Sequence, residues 1–249
     1  MKLKNQIDRA DLESGTVFLV DKPLEWTSFD VVAKIRGILR QVLNVRKHKV
    51  GHAGTLDPLA SGLLIVCTGK MTKQIHLYQD MPKEYTGTIT LGGTTPSYDR
   101  EMPVDQVFPV DHITPEGMEK ARISLMGEIL QEVPLYSAVK VEGRRLYDIA
   151  RKGESVISKS RNVFVHEFEI DTQHFPDIRF RIVTSKGTYI RAIAHDFGRL
   201  LNSGAHLSEL RRTKIGKYKV DDAWRLEELT EALWRSNLSE KTDENGDYC

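Results

Sequence analysis

Cysteine is nearly absent: two residues in 249, Cys67 inside an apolar run and Cys249 at the terminus. That pair makes neither a disulfide framework nor the ligand spacing of a structural metal, so no metal is expected. No stretch has the apolar length of a membrane span or a secretory signal, which predicts a cytosolic chain without membrane contact. Internal repeats and low-complexity tracts are also missing. Net charge is scarce, at +1, in a composition that is 40% hydrophobic and 29% charged, the balance of a soluble globular protein.

The near-zero charge hides a division. Residues 221–249 hold nine acidic and three basic side chains, a net of −6, and taking this from +1 leaves +7 on residues 1–220. Residues 34–49 carry Lys34, Arg36, Arg40, Arg46, Lys47 and Lys49 with no acid, and residues 205–219 carry Arg211, Arg212, Lys214, Lys217 and Lys219 against Glu209 alone. Such patches suit a polyanion backbone, although any single member is as readily a solvated surface charge.

Periodicity supplies the elements. Val17–Val20 reads as a strand; Thr27 or Ser28 caps a helix with Phe29, Val32, Ile35, Leu39 and Val42 on its apolar face. Tyr85, Gly87, Ile89 and Leu91 alternate with threonines, and Ile178, Phe180 and Ile182 alternate with arginines, as half-buried strands do. Thr114-Pro115 starts a helix that reaches about Met126. Ile190, Ile193, Ala194, Phe197, Leu200 and Leu201 share a helical face that Gly204 is placed to end. Residues 1–15 lack periodicity and read as an arm or frayed terminus. Strands and helices mix without a βαβ rhythm, which favours an α+β fold.

The chemistry concentrates at residues 51–64, GHAGTLDPLASGLL. Gly51, Gly54 and Gly62 allow backbone conformations and approaches that a Cβ blocks, and Pro58 restrains both its own torsion and that of Asp57 before it. The following Leu63–Cys67 run anchors the turn against a core as a buried strand or helix. A carboxylate held this way suits a nucleophile. From the turn alone, an Asp-Pro that merely initiates a bend is the commoner explanation. Neither a second catalytic acid nor a phosphate loop accompanies it, which disfavours glycosidase and aspartyl-phosphate chemistry.

GHAGTLDPLASGLL, continued by TGKMTK at 68–73, closely resembles the signature of the bacterial TruB-type tRNA pseudouridine synthases, whose aspartate in that motif is catalytic. Further blocks follow in the family's order: DKPLEWTSFDVV (21–32), KEYTGTITLG (83–92), PLYSAVKVEGRRLYDIARKG (134–153), SKGTYIRAIAHDFG (185–198) and GAHLSELRRTKIGKY (204–218). The resemblance implies the pseudouridine synthase fold, a mostly antiparallel mixed sheet with flanking helices, and isomerisation of uridine 55 in the tRNA T loop. It implies a catalytic domain over residues 1–236, with a thumb-like insertion near 134–158. Residues 237–249 are then an acidic, disordered tail, too short for a complete C-terminal PUA domain. The expected enzyme acts as a monomer on the T stem and loop, without guide RNA or cofactor.

By motif, Asp57 is the nucleophile and Arg191 its paired cation. Tyr85 stacks on the flipped base and is a candidate proton acceptor. Tyr189 is a second aromatic of the pocket, His52 positions the RNA, Lys22 lies near the reaction, and Leu210 closes the base pocket. Lys140, Arg144, Arg145, Arg151, Lys152, Arg211 and Arg212 are expected to meet phosphates, with Tyr136 and Tyr147 packing or stacking beside them. One stretch departs from the family: where it commonly has T-D-T-x-D-A-x-G, this chain reads TTPSYDREM at 94–102. Its only aspartate, Asp99, receives no role by transfer.

Overall fold

The computed structural model describes residues 7–137, 140–141, 144–146 and 160–236. They form two compact units, one from residues 7–81 with 211–236 and the other from the described residues of 82–210. The first begins with helix α1 (Arg9–Ser14), strand β1 (Val17–Lys22), helix α2 (Ser28–Val42), strands β2 (Val50–His52) and β3 (Ala60–Thr68), and helix α3 (Ile75–Gln79). The second holds β4 (Lys83–Leu91), β5 (Gly93–Thr94), β6 (Gln106–Val107), α4 (Pro115–Ser124), β7 (Gly127–Glu132), β8 (Lys140–Val141), β9 (Arg144–Arg145), β10 (Ser160–His174), β11 (Asp177–Thr184) and α5 (Ile190–Leu200). Strand β12 (Ala205–Ile215) starts in the second unit and ends in the first, followed there by β13 (Tyr218–Lys219), β14 (Trp224–Arg225) and α6 (Leu226–Arg235). Mostly antiparallel strands with flanking helices make this the expected α+β class.

In the first unit β1 runs antiparallel to β3, with Lys22 opposite Gly62, and β14 adds to β1 in parallel. Both faces of these strands are covered. Phe18, Val20, Leu64 and Val66 pack with Val31, Ile35 and Leu39 of α2 and Leu229 and Leu233 of α6. Leu19, Leu63, Ile65 and Cys67 pack on the other side with Ile215 and Ala223. Two buried faces explain why Leu63–Cys67 is apolar without alternation. Each such aliphatic side chain contributes about 1.5–3 kcal/mol over its exposed state.

The second unit alternates instead. In the antiparallel order β4-β11-β10-β7, Ile178, Phe180 and Ile182 are buried. Phe168 meets the rings of both Phe180 and Phe197 edge-on. On the other face Arg181 binds Glu84, Glu167 and Glu169 at 2.6–2.9 Å. One buried and one wet face produce the period of two read from the sequence.

Several expectations need correcting. The first residues include α1, with the Asp8 side chain accepting from the Ala10 N–H and Leu12 fully buried. Phe29 is not on the buried face of α2 but is 64% exposed, with the Arg36 guanidinium 5.7 Å from its ring. Ser28 takes the inward place because its hydroxyl donates to the Leu56 carbonyl and accepts from the Leu56 N–H. That turns the next side chain about 100° away. Leu200 is exposed as well, and α5 ends there, before Gly204, with Leu201 as its cap and the left-handed Asn202 next. Gly204 serves packing instead: a Cβ there would lie 2.5 Å from the Phe108 ring.

Candidate active site

Each unit holds one set of the candidate residues. In the first, Asp57 lies on the seven-residue connection between β2 and β3, and its backbone is held at nearly every step. Arg212, on the C-terminal half of β12, is 1% exposed and donates from Nε to the Leu63 carbonyl (2.7 Å), from Nη2 to Gly54 (3.1 Å) and from Nη1 to Thr55 (3.4 Å). Ser28 secures both backbone groups of Leu56, the Asp57 carbonyl accepts from the Ala60 N–H, and the Pro58 carbonyl accepts from the Glu25 N–H. Gly54 and Gly62 both have φ of 106°, where a side chain is strained. At Gly62 a Cβ would also stand 2.3 Å from the Arg212 carbonyl, so this glycine lets β12 approach β3. Gly51 lacks a positive φ; its bare Cα makes room for Ile75. The Asp57 side chain stays partly exposed on this braced turn.

Lys22 is fully buried, and its Nζ donates to the carbonyls of Trp26 (2.5 Å), Pro23 (2.8 Å) and, at 3.5 Å, Pro58. Burial lowers its pKa to about 8, against the charge of Asp57, which favours the ammonium. The lysine therefore ties the 23–26 segment to the turn that carries Asp57. His52, at the end of β2, is half-buried. Burial first, and the Arg212 charge second, push its pKa below the usual imidazole value, which favours the neutral ring. Neutral stacking and hydrogen bonding suit the positioning role expected for it.

In the second unit Tyr85 is buried on β4 opposite Ile182. Tyr189 caps α5, with its N–H donating to Gln131 Oε1 (2.8 Å) and its carbonyl accepting from Gln131 Nε2 (3.1 Å). Its ring lies near two guanidinium groups, Arg161 at 4.9 Å and Arg191 at 5.9 Å. Arg191 is 4% exposed; Nη1 donates to the Ser97 carbonyl (3.0 Å), Nη2 to the Tyr136 carbonyl (3.1 Å), and Nε lies 3.5 Å from Asp99 Oδ2. Leu210 is partly buried on β12.

Two residues escaped the reading of the sequence. Asp99 sits in the departing stretch yet faces Arg191, and the only signal was that it is the sole aspartate there. Arg212 was expected at a phosphate; it is instead buried beneath the Asp57 turn, its guanidinium bonded to the carbonyls of Leu63, Gly54 and Thr55. Arg211 is likewise engaged, in a two-pronged pair with Asp21 at 2.7 and 3.0 Å. Lys34, Arg40, Arg46, Lys47 and Lys49 reach the surface, as a backbone-binding patch requires. Lys140, Arg144 and Arg145 lie on the β8–β9 hairpin, outside the residues whose side chains are described, and Tyr147, Arg151 and Lys152 fall outside the described residues altogether.

A family model described as the N-terminal domain of the TruB family pseudouridylate synthases matches residues 40–190, and one described as the tRNA pseudouridylate synthase B C-terminal domain matches residues 191–245. The tRNA pseudouridine synthase B of Flavobacterium johnsoniae is 53% identical over 84% of this chain and 92% of its own length. The protein of that name from Phocaeicola vulgatus is 48% identical over 94% of this chain and 100% of its own. Among solved structures, a chain of a Cbf5-Nop10-Gar1 complex superposes with a TM-score of 0.66 at 31% identity, over 89% of this chain. A chain of an H/ACA RNP bound to a substrate RNA containing 2'-deoxyuridine gives 0.65 at 28% identity, over 94% of this chain. The present chain spans 55% and 57% of those two solved chains.

Proposed function

The chain belongs to the TruB family of pseudouridylate synthases, and on that premise we propose that it isomerises uridine 55 in the T loop of tRNA to pseudouridine, with Asp57 as nucleophile. The observation that carries this reading is the bracing of the Asp57 turn. Arg212, Ser28, Ala60, Glu25 and Lys22 hold the backbone from Gly54 to Pro58, while the carboxylate is left partly exposed. A nucleophile that must meet one atom of a flipped-out nucleotide needs that rigidity, since a displacement of about 1 Å can cost on the order of 100-fold in rate.

The reaction breaks the N1–C1′ bond, turns the base and joins C5 to C1′; the C5 proton leaves and N1 gains one. Substrate and product are isomers, so no electrons are exchanged with a co-reactant. Asp57 supplies the carboxylate that attacks the nucleoside, at the base or at C1′, and is released again before pseudouridine leaves the site. The motif roles complete the reading: Arg191 is the cation the motif assigns to Asp57, Tyr85 stacks on the base and is the candidate proton acceptor, and Tyr189 and Leu210 line the pocket. His52 positions the RNA by stacking or hydrogen bonding as the target flips, and the lysines and arginines of residues 34–49 meet phosphates. A catalytic domain over residues 1–236 acts as a monomer, without guide RNA.

The test is incubation of the purified chain with unmodified tRNA, followed by mapping of pseudouridine. Modification confined to the T loop is expected, together with loss of many orders in rate for Asp57→Asn and near-normal tRNA binding. Normal turnover by Asp57→Asn would end the proposed mechanism.

A further inference from the structure

The stretch that departs from the family pattern has a defined shape, and one helix maintains it. Thr95-Pro96-Ser97-Tyr98 form a turn closed by the Tyr98 N–H on the Thr95 carbonyl (3.1 Å), with proline in the second position that turns favour. Tyr98 then adopts φ of 64°, a left-handed conformation that a bulky side chain keeps only where its surroundings over-determine it. Two contacts do so. Its carbonyl accepts from the Leu207 N–H (2.9 Å), and its ring stacks on the His195 imidazole, centroids 4.0 Å apart and planes 16° from parallel.

His195 lies four residues after Arg191 on α5, on the same helical face. The two side chains therefore grip adjacent parts of one segment: His195 holds the Tyr98 ring, while Arg191 takes the Ser97 carbonyl and faces the Asp99 carboxylate. The Asp99 backbone is fixed in turn, its carbonyl accepting from Thr95 Oγ1 (2.6 Å). His195 Nδ1 is buried without a hydrogen-bond partner among the described residues, and burial lowers the ring's pKa, so its visible work is stacking.

We propose that His195 is a positioning residue for the isomerisation, whose ring, stacked on Tyr98, locks residues 97–99 into the shape that orients Arg191. The inference rests on the functional reading above, in which Arg191 acts with Asp57. The TTPSYDREM stretch thereby acquires a role, since an aromatic stack between loop and helix secures the cradle around the arginine.

Single-turnover kinetics on unmodified tRNA test this. His195→Ala should lower kcat about tenfold, the scale of one aromatic pair, with KM for tRNA within about twofold of normal. His195→Phe keeps a stackable ring and should restore most of the rate, which a general loss of stability at this position would not predict. Tyr98→Gly relieves the left-handed backbone yet removes the ring, and should show the same loss in kcat. The double variant should be no slower than either single one. A full rate for His195→Ala or Tyr98→Gly, a rise in KM without a fall in kcat, failure of His195→Phe to rescue, or multiplication of the two losses would each overturn the inference. Wild-type chain that makes no pseudouridine would sink the functional reading itself. Active wild type, inactive Asp57→Asn and normal His195→Ala would remove only the role of His195.

Discussion

Arg212→Ala separates a brace beneath the Asp57 turn from a contact to RNA. The guanidinium donates to Leu63 and Gly54 at good length and to Thr55 at 3.4 Å, with 1% of the residue exposed. A hydrogen bond to a charged group contributes about 1.5–3 kcal/mol, so the two short bonds amount to about 3–6 kcal/mol. The third adds little, and water can reach the carbonyls of half-buried Gly54 and exposed Thr55, which brings the expected loss to about 3–5 kcal/mol. That is a large share of the roughly 5–15 kcal/mol that holds a domain folded. Urea unfolding can follow it through Trp26 and Trp224, which pack against the core of the same unit. In single-turnover kinetics the loosened turn should reduce kcat by about 100-fold, while tRNA affinity and its salt dependence stay near wild type. Stability within about 0.5 kcal/mol of wild type, combined with weaker tRNA binding and a shallower salt slope, would show that Arg212 meets phosphate and that the brace is wrong.

Gly62→Ala should unfold the first unit or cost more than about 3 kcal/mol in denaturant, because the added Cβ meets the Arg212 carbonyl at a left-handed position; a wild-type midpoint would refute the close approach. Lys22 is lowered from 10.5 to about 8 by burial, so the folded state bears the full cost of its charge below pH 8 and is relieved of it between pH 8 and 10.5. Its contribution to stability should therefore rise across that window, while activity falls as the ammonium that ties Pro58 is lost; Lys22→Met should be slower and lack this alkaline limb. Asp99→Asn removes the charge facing Arg191 and should lower kcat by about tenfold or more with tRNA affinity retained, and an unchanged pre-steady-state rate would show that the 3.5 Å pair is idle.

Much of the fold was legible because its signals are local. The Thr27 capping box closes within three residues, and Thr114-Pro115 starts α4 through the Thr114 hydroxyl and the Gly117 N–H. The alternation at 178–182 reports one buried face, and the unbroken run at 63–67 reports two. The misplacements had distant causes. Phe29 points outward because Ser28 is claimed by Leu56, twenty-eight residues on. Gly204 read as a helix stop, yet its small size serves Phe108, nearly a hundred residues earlier.

Contiguous residues were enough to reveal the family, the constrained aspartate turn and the residue types available for the chemistry, because motif identity and short-range torsional restraint are written along the chain. Which charges face inward emerged only from the packed molecule. Arg212 and its neighbour Arg211 look alike in an LRRTK string, but strand register buries the first beneath Gly54 and leaves the second beside Asp21. Asp99 has no familiar motif, and only the closure of the 95–98 turn against β12 and α5 places it at Arg191 and Tyr98 on His195. Alternation along a strand fixes which face a side chain occupies, whereas its partner depends on which distant strand or helix packs there.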